Sequence, residues 1–121
     1  MSVRAIRGAT TVPENTKEAI LEGTAELLAE LIKRNDLKNG DVISAFFTVT
    51  GDLNATFPAV AAREIGWTDI SLMCTNEIDV PGSLKSCIRI MIHFNTDREN
   101  SDINHVYLKG AAVLRPDLSE K

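Results

Sequence analysis

The chain has 121 residues, 44% of them hydrophobic and 25% charged, and 13 Lys and Arg against 17 Asp and Glu give a net charge of −4. This composition excludes a disordered chain, and the length is that of a single domain able to bury roughly two-thirds of its unfolded surface without disulfide or metal. The acidity and a 5% aromatic content argue against a nucleic-acid binder, and no apolar run approaches the ~20 residues of a membrane span.

Residues 2–8 alternate, with Val3, Ala5 and Arg7 on one side and Arg4, Ile6 and Gly8 on the other, which predicts a strand. A loop through Thr10, Thr11 and Pro13 follows. Either Asn15 or Thr16 then caps a long amphipathic helix whose buried stripe is Ile20, Thr24, Leu27, Leu28, Leu31 and Ile32. Glu18, Glu22, Glu26 and Glu30 line its solvated side, where Glu30 can pair with Arg34. After an Asn39-Gly40 turn, residues 41–50 read as a strand with Ile43, Ala45, Phe47 and Val49 on one face. Phe57-Pro58 opens a short helix that ends at Gly66. Residues 68–77 read as a third strand and 87–96 as a fourth. In the fourth, Ile88, Ile90, Ile92 and Phe94 oppose Arg89, Met91, His93 and Asn95. Residues 105–115 are expected to be extended, interrupted at Gly110 and ended by Pro116, with a polar tail at 119–121.

The order β-α-β-α-β-β-β leaves two helices for a sheet of about five strands. The expected fold is therefore α+β, one domain over residues 1–121, with a mixed sheet and one long and one short helix on one face. The other face carries Arg89, His93 and Asn95 beside Met91. It is too apolar for solvent and too polar for a core, which suits a polar cleft or a subunit interface and predicts an oligomer. Residues 1–12 contain Arg4 and Arg7 without an apolar stretch behind them, so no signal peptide is read. Cys74 and Cys87 form no CxxC and are read as free thiols in a reducing, cytoplasmic setting.

Arg7, Arg63, Arg89 and Arg115 stand among apolar or small neighbours. Arg89, in the middle of Cys-Ile-Arg-Ile-Met-Ile, must find an anion, a carbonyl or water. Two partners are open to it: a protein carboxylate, Glu77 or Asp79, or an anionic ligand that guanidinium binds bidentately. Glu77 suits either a surface role or a site, and Tyr107 either a core role or a site. His93 and His105 lack a second ligand at metal-binding spacing, and no phosphate loop or nucleophile motif is present. The residues alone reach an oligomer with an Arg-rich pocket for a compact anion.

Several short motifs go further. They are Arg4-Ala-Ile-Arg-Gly-Ala-Thr-Thr11, Phe57-Pro-Ala59 with Arg63, Cys74-Thr-Asn-Glu77 before Asp79-Val80, Cys87-Ile-Arg89, His105-Val-Tyr-Leu108, and Gly110 through Arg115-Pro-Asp117. In this order the chain resembles the monofunctional chorismate mutases of the trimeric pseudo-α/β-barrel class. The resemblance implies rearrangement of chorismate to prephenate without a cofactor, in a homotrimer with sites between subunits. It implies Arg89 as the cation at the breaking ether bond, Arg7 and Tyr107 on the side-chain carboxylate, and Glu77 with Cys74 on the ring hydroxyl. Phe57, Ala59, Met73 and Leu114 would form walls, and Arg63 and Arg115 would stand near the ring carboxylate and the mouth. The alternatives are a non-catalytic binding protein for an aromatic-pathway dicarboxylate and a trimeric enamine or imine hydrolase.

Overall fold

The computed structural model describes residues 2–115. Strand β1 (Ser2–Thr11) is followed by helix α1 (Lys17–Asn35), strand β2 (Val42–Val49), helix α2 (Ala59–Glu64), and strands β3 (Ser71–Asn76), β4 (Cys87–Thr96) and β5 (Val106–Tyr107). The sheet order is β3-β2-β4-β1-β5. β4 pairs antiparallel with β1 and β2, while β2–β3 and β1–β5 are parallel, so the sheet is mixed as expected.

Both helices lie on one face. Thr16 is the N-cap of α1, its hydroxyl accepting from Ala19 N at 3.1 Å. Glu30 pairs with Arg34 at 2.9 Å on the outer side. Leu27, Leu28 and Leu31 meet Ile6, Ile90, Ile92, Phe47 and Phe94 in the main core, each fully or almost fully buried. The close approach of α1 to β1 favours Gly8. A Cβ there would stand 3.1 Å from Leu27 Cδ1, Leu31 Cδ1 and the Val106 carbonyl oxygen. α2 ends where Gly66 takes φ +102°, with Trp67 N donating to Ala62 O, and Trp67 itself is buried in the same core.

Three expectations change. β1 runs on through Thr11, because all ten of its residues pair with β4. Ile43 does not share the core face with Ala45, Phe47 and Val49: a register irregularity between Val42 and Ser44 turns Val42 inward and leaves Ile43 exposed. Residues 105–115 are not one extended segment. After the two-residue β5, Lys109–Leu114 forms a 3₁₀ turn, with Ala111 N donating to Leu108 O. Ala111 and Leu114, three residues apart, fall on one side of such a turn. They pack with Ala9, Cys87 and Tyr107 in a separate cluster, and that burial outweighs extension of the sheet. Pro116 and the tail at 119–121 lie outside the described residues.

Asn35 secures the approach to β5. This fully buried side chain donates to Leu31 O and Asn104 O and accepts from Asn104 N. The last turn of α1 thus holds the segment that leads into His105 and Tyr107. Among the described residues no helix is long and apolar enough to cross a membrane.

Candidate active site

The sheet face without helices carries most of the side chains expected at the site. Arg7 projects from β1, Phe46 and Thr48 from β2, and Arg89 and Met91 from β4. With Glu77, Tyr107 and Arg115 they line a cleft of about 250 Å³. Strand alternation puts them there: Ile6 and Gly8 face α1, so Arg7 faces away, and the same holds for Arg89 between Ile88 and Ile90. Tyr107 stands beside Ala9 through the parallel β1–β5 register and is almost fully buried.

Thr48 and Arg89 are cross-strand partners. Glu77, just past the end of β3, is fixed by its N–H on Val49 O at 2.9 Å. Its carboxylate joins both: Thr48 Oγ1 donates to Oε1 at 2.5 Å, and Arg89 Nη1 lies 3.5 Å from Oε2. The partner of Arg89 is therefore Glu77, and the pair lies inside the cleft. The Arg89 side chain is 42% exposed and that of Glu77 26%. A pair this open and this long contributes less than about 1 kcal/mol, leaving the guanidinium donors available to a ligand. The two readings of Arg89, ion pair and anion site, are thus compatible. The guanidinium groups of Arg7 and Arg89 against the single carboxylate of Glu77 leave the floor of the cleft cationic in an acidic protein.

Two neighbours of the cleft are held uncharged. Burial pushes the Cys87 thiol up to about 11, so it packs as a small apolar group beside Ala9 and Tyr107. His105 is held below its ordinary value by burial and then by the charges of Arg7 and Arg115. Among the described residues no group of three His, Cys, Asp or Glu side chains is placed to hold a metal ion.

The remaining expected site residues are elsewhere. Phe57, Ala59, Arg63 and Cys74 line a second hollow with Leu72, of about 320 Å³, and share no lining residue with the first. Cys74 pairs in register with the buried Phe47 and packs against the main core, so it takes the helix side of β3. Met73 takes the other side beside Phe46, and both are exposed, at 59% and 39%. Leu114 packs with Tyr107 in the small cluster near Arg115. Within one chain, then, Arg7, Glu77, Arg89, Tyr107 and Arg115 converge, and Phe57, Ala59, Arg63 and Cys74 form a separate group. Sequence reasoning missed Thr48 and Phe46. The signal was their alternation with Ala45, Phe47 and Val49, which puts them on the face of Arg89.

An α+β sheet with one bare face, bearing guanidinium groups around a carboxylate and a phenol, defines a protein for small, compact anions. The particular family follows from comparison: the chain belongs to the chorismate mutase type I family, matched over residues 3–118. It is 48% identical over 120 residues to chorismate mutase AroH of Bacillus subtilis, covering 98% of this chain and 94% of that one. It is 47% identical over 117 residues to chorismate mutase AroH of Thermus thermophilus, covering 96% of each. The solved structure of a chorismate mutase from Clostridium thermocellum superposes with a TM-score of 0.90 at 59% identity, covering 91% of this chain and 98% of that chain.

Proposed function

We propose that this chain rearranges chorismate to prephenate, the branch-point step towards phenylalanine and tyrosine, in the cytoplasm. The observation that carries the reading is the convergence of Arg7, Arg89, Tyr107 and Glu77 in one cationic cleft. In this rearrangement an ether C–O bond breaks as a C–C bond forms within one molecule. Neither nucleophile nor proton transfer is needed. Negative charge gathers on the ether oxygen and positive charge on the ring.

A cation fixed beside that oxygen binds the transition state more strongly than the ground state. Arg89 takes that role, held on a central strand between β1 and β2. Arg7 and Tyr107 hold the side-chain carboxylate and restrain the flexible ether in its reactive, compact form. Glu77, steadied by Thr48, faces the ring hydroxyl and favours the positive charge developing there. Arg115 stands at the mouth.

The second group completes the site from a neighbouring copy. Phe57, Ala59, Arg63 and Cys74 sit apart from the cleft of their own chain, and the bare face beside the cleft exposes Phe46 and Met73. A closed homotrimer that lays this group against the next cleft covers both. Cys74 then joins Glu77 across the interface at the ring hydroxyl, with Arg63 near the ring carboxylate.

The test is direct. Chorismate mixed with the purified protein loses its enediene absorbance and yields prephenate; absorbance that persists while the ligand binds would mark a binding protein instead. For the shared site, R89Q and R63A are each expected to be impaired alone. Random mixing of the two in equal amounts leaves about a quarter of the sites with both halves intact, and that share of activity returns. No recovery after verified subunit exchange would overturn the shared site.

A further inference from the structure

His105 has no part in the chemistry above, yet it is bonded to it. Its Nδ1 accepts the backbone N–H of Arg7 at 3.0 Å. The place of this bond is unusual. β5 pairs with β1 only at Gly8–Val106 and Ala9–Tyr107, so the backbone ladder ends one residue before it would reach Arg7. An imidazole supplies the acceptor that a longer strand would have supplied, and it does so at the residue that carries a cleft guanidinium. Two positions further along its own segment stands Tyr107, which lines the same cleft. One side chain therefore ties the main chain of Arg7 to the strand that carries Tyr107.

The bond has a protonation requirement. Neutral imidazole offers one lone pair and one N–H, so accepting at Nδ1 places the proton on Nε2. Imidazolium has N–H groups at both positions and would turn one against the Arg7 N–H. The charged groups acting on the ring are Arg7 on β1 and Arg115 after the 3₁₀ turn, and both oppose a second proton.

We propose that His105 is a positioning residue for Arg7, its neutral Nδ1 holding the Arg7 main chain in register with Tyr107, so that protonating the ring loosens the hold on the substrate carboxylate. This rests on the reading of the cleft as a carboxylate site for chorismate. Arg7 holds the side-chain carboxylate before and during the rearrangement, so loosening that hold raises KM, and the weaker restraint on the ether lowers kcat by less.

Three measurements test it. In the wild-type protein at pH 7.5, ¹⁵N NMR of the imidazole should show the Nε2–H tautomer, and the Arg7 amide should shift as the ring titrates. An Nδ1–H tautomer, or an Arg7 amide indifferent to the titration, would overturn the proposal without reference to turnover. H105N keeps an acceptor on Cγ that does not titrate. It should retain KM within about threefold at pH 7.5, and the rise in KM that follows His105 titration on the acid side should vanish. H105L has no acceptor and should raise KM about tenfold at every pH, with kcat changed less. Wild-type KM and an unchanged acid limb in both variants would contradict the proposal. If H105L does not fold, the H105N profile decides. Absence of any chorismate conversion by wild type would instead refute the functional reading, and the NMR result would still judge the tether.

Discussion

Replacing Arg89 by Gln separates catalysis from folding, because the structure makes the two effects very different in size. The guanidinium meets the Glu77 carboxylate at 3.5 Å with its own side chain 42% exposed. An ion pair that open contributes less than about 1 kcal/mol to stability, so melting should fall by no more than a few degrees. Glu77 keeps its other holds, the Thr48 hydroxyl and its own N–H on Val49 O, so the cleft should retain its shape. Catalysis has no such reserve. Gln has no charge and a shorter reach, and loss of one preorganised donor at a developing oxyanion costs about 3–4 kcal/mol, or roughly 10²–10³ in rate. The assay is the decay of chorismate absorbance at saturating substrate, run beside a thermal melt of the same preparation. A variant that melts like the parent and keeps kcat within about threefold would refute the electrostatic role of Arg89. A variant that loses activity only because it unfolds would show Arg89 to be structural.

Thr48→Val removes the hydroxyl on Glu77 with little change of shape. Stability should fall by about 1 kcal/mol in urea titration, and kcat should drop several-fold as the carboxylate loses one of its two side-chain partners. Gly8→Ala should destabilise by about 1–3 kcal/mol, since two leucine methyls and a backbone carbonyl crowd the new methyl group. A rise in melting temperature would mean that the smaller entropic benefit of alanine prevails and that α1 can retreat. His105 also predicts a pH dependence of stability. Its folded value lies below the ordinary 6.5, so as pH falls through that range the unfolded chain takes up a proton that the folded chain refuses. Stability should therefore decline on acidification from about pH 7 to the folded value, and H105N should show a shallower decline in chemical denaturation across that window.

The alternation of β4 was readable because its four apolar residues bury against α1 without a break. That alternation alone sets Arg89 on the bare face. β2 was harder. Its hydrophobic residues run from Val42 through Phe47 with only Ser44 polar, and a bulge, which leaves no trace in alternation, decides whether Val42 or Ile43 turns inward. The C-terminal region deceived for a related reason. Val106, Tyr107 and Leu108 favour extension, but burial of Ala111 against Ala9 and Cys87 bends the chain from Lys109 onward. Arg7 and Arg89 could be named from their apolar contexts. Thr48 could not, because a threonine in a strand is ordinary until the register sets it opposite Arg89 with Glu77 in reach. The division of the expected site into two groups also lay beyond the sequence. It depends on Cys74 and Met73 taking opposite sides of an edge strand, which only the pairing with Phe47 and Phe46 decides.

The most direct measurement is a crystal structure of the assembled protein with a bound dicarboxylate that mimics the rearranging ether. The prediction is an Arg89 nitrogen within hydrogen-bond distance of the ether oxygen, Arg7 and Tyr107 on the side-chain carboxylate, and Phe57 and Arg63 of an adjacent copy closing the far side. A ligand seated without Arg89, which stays engaged with Glu77 alone, or one enclosed by a single chain, would contradict it.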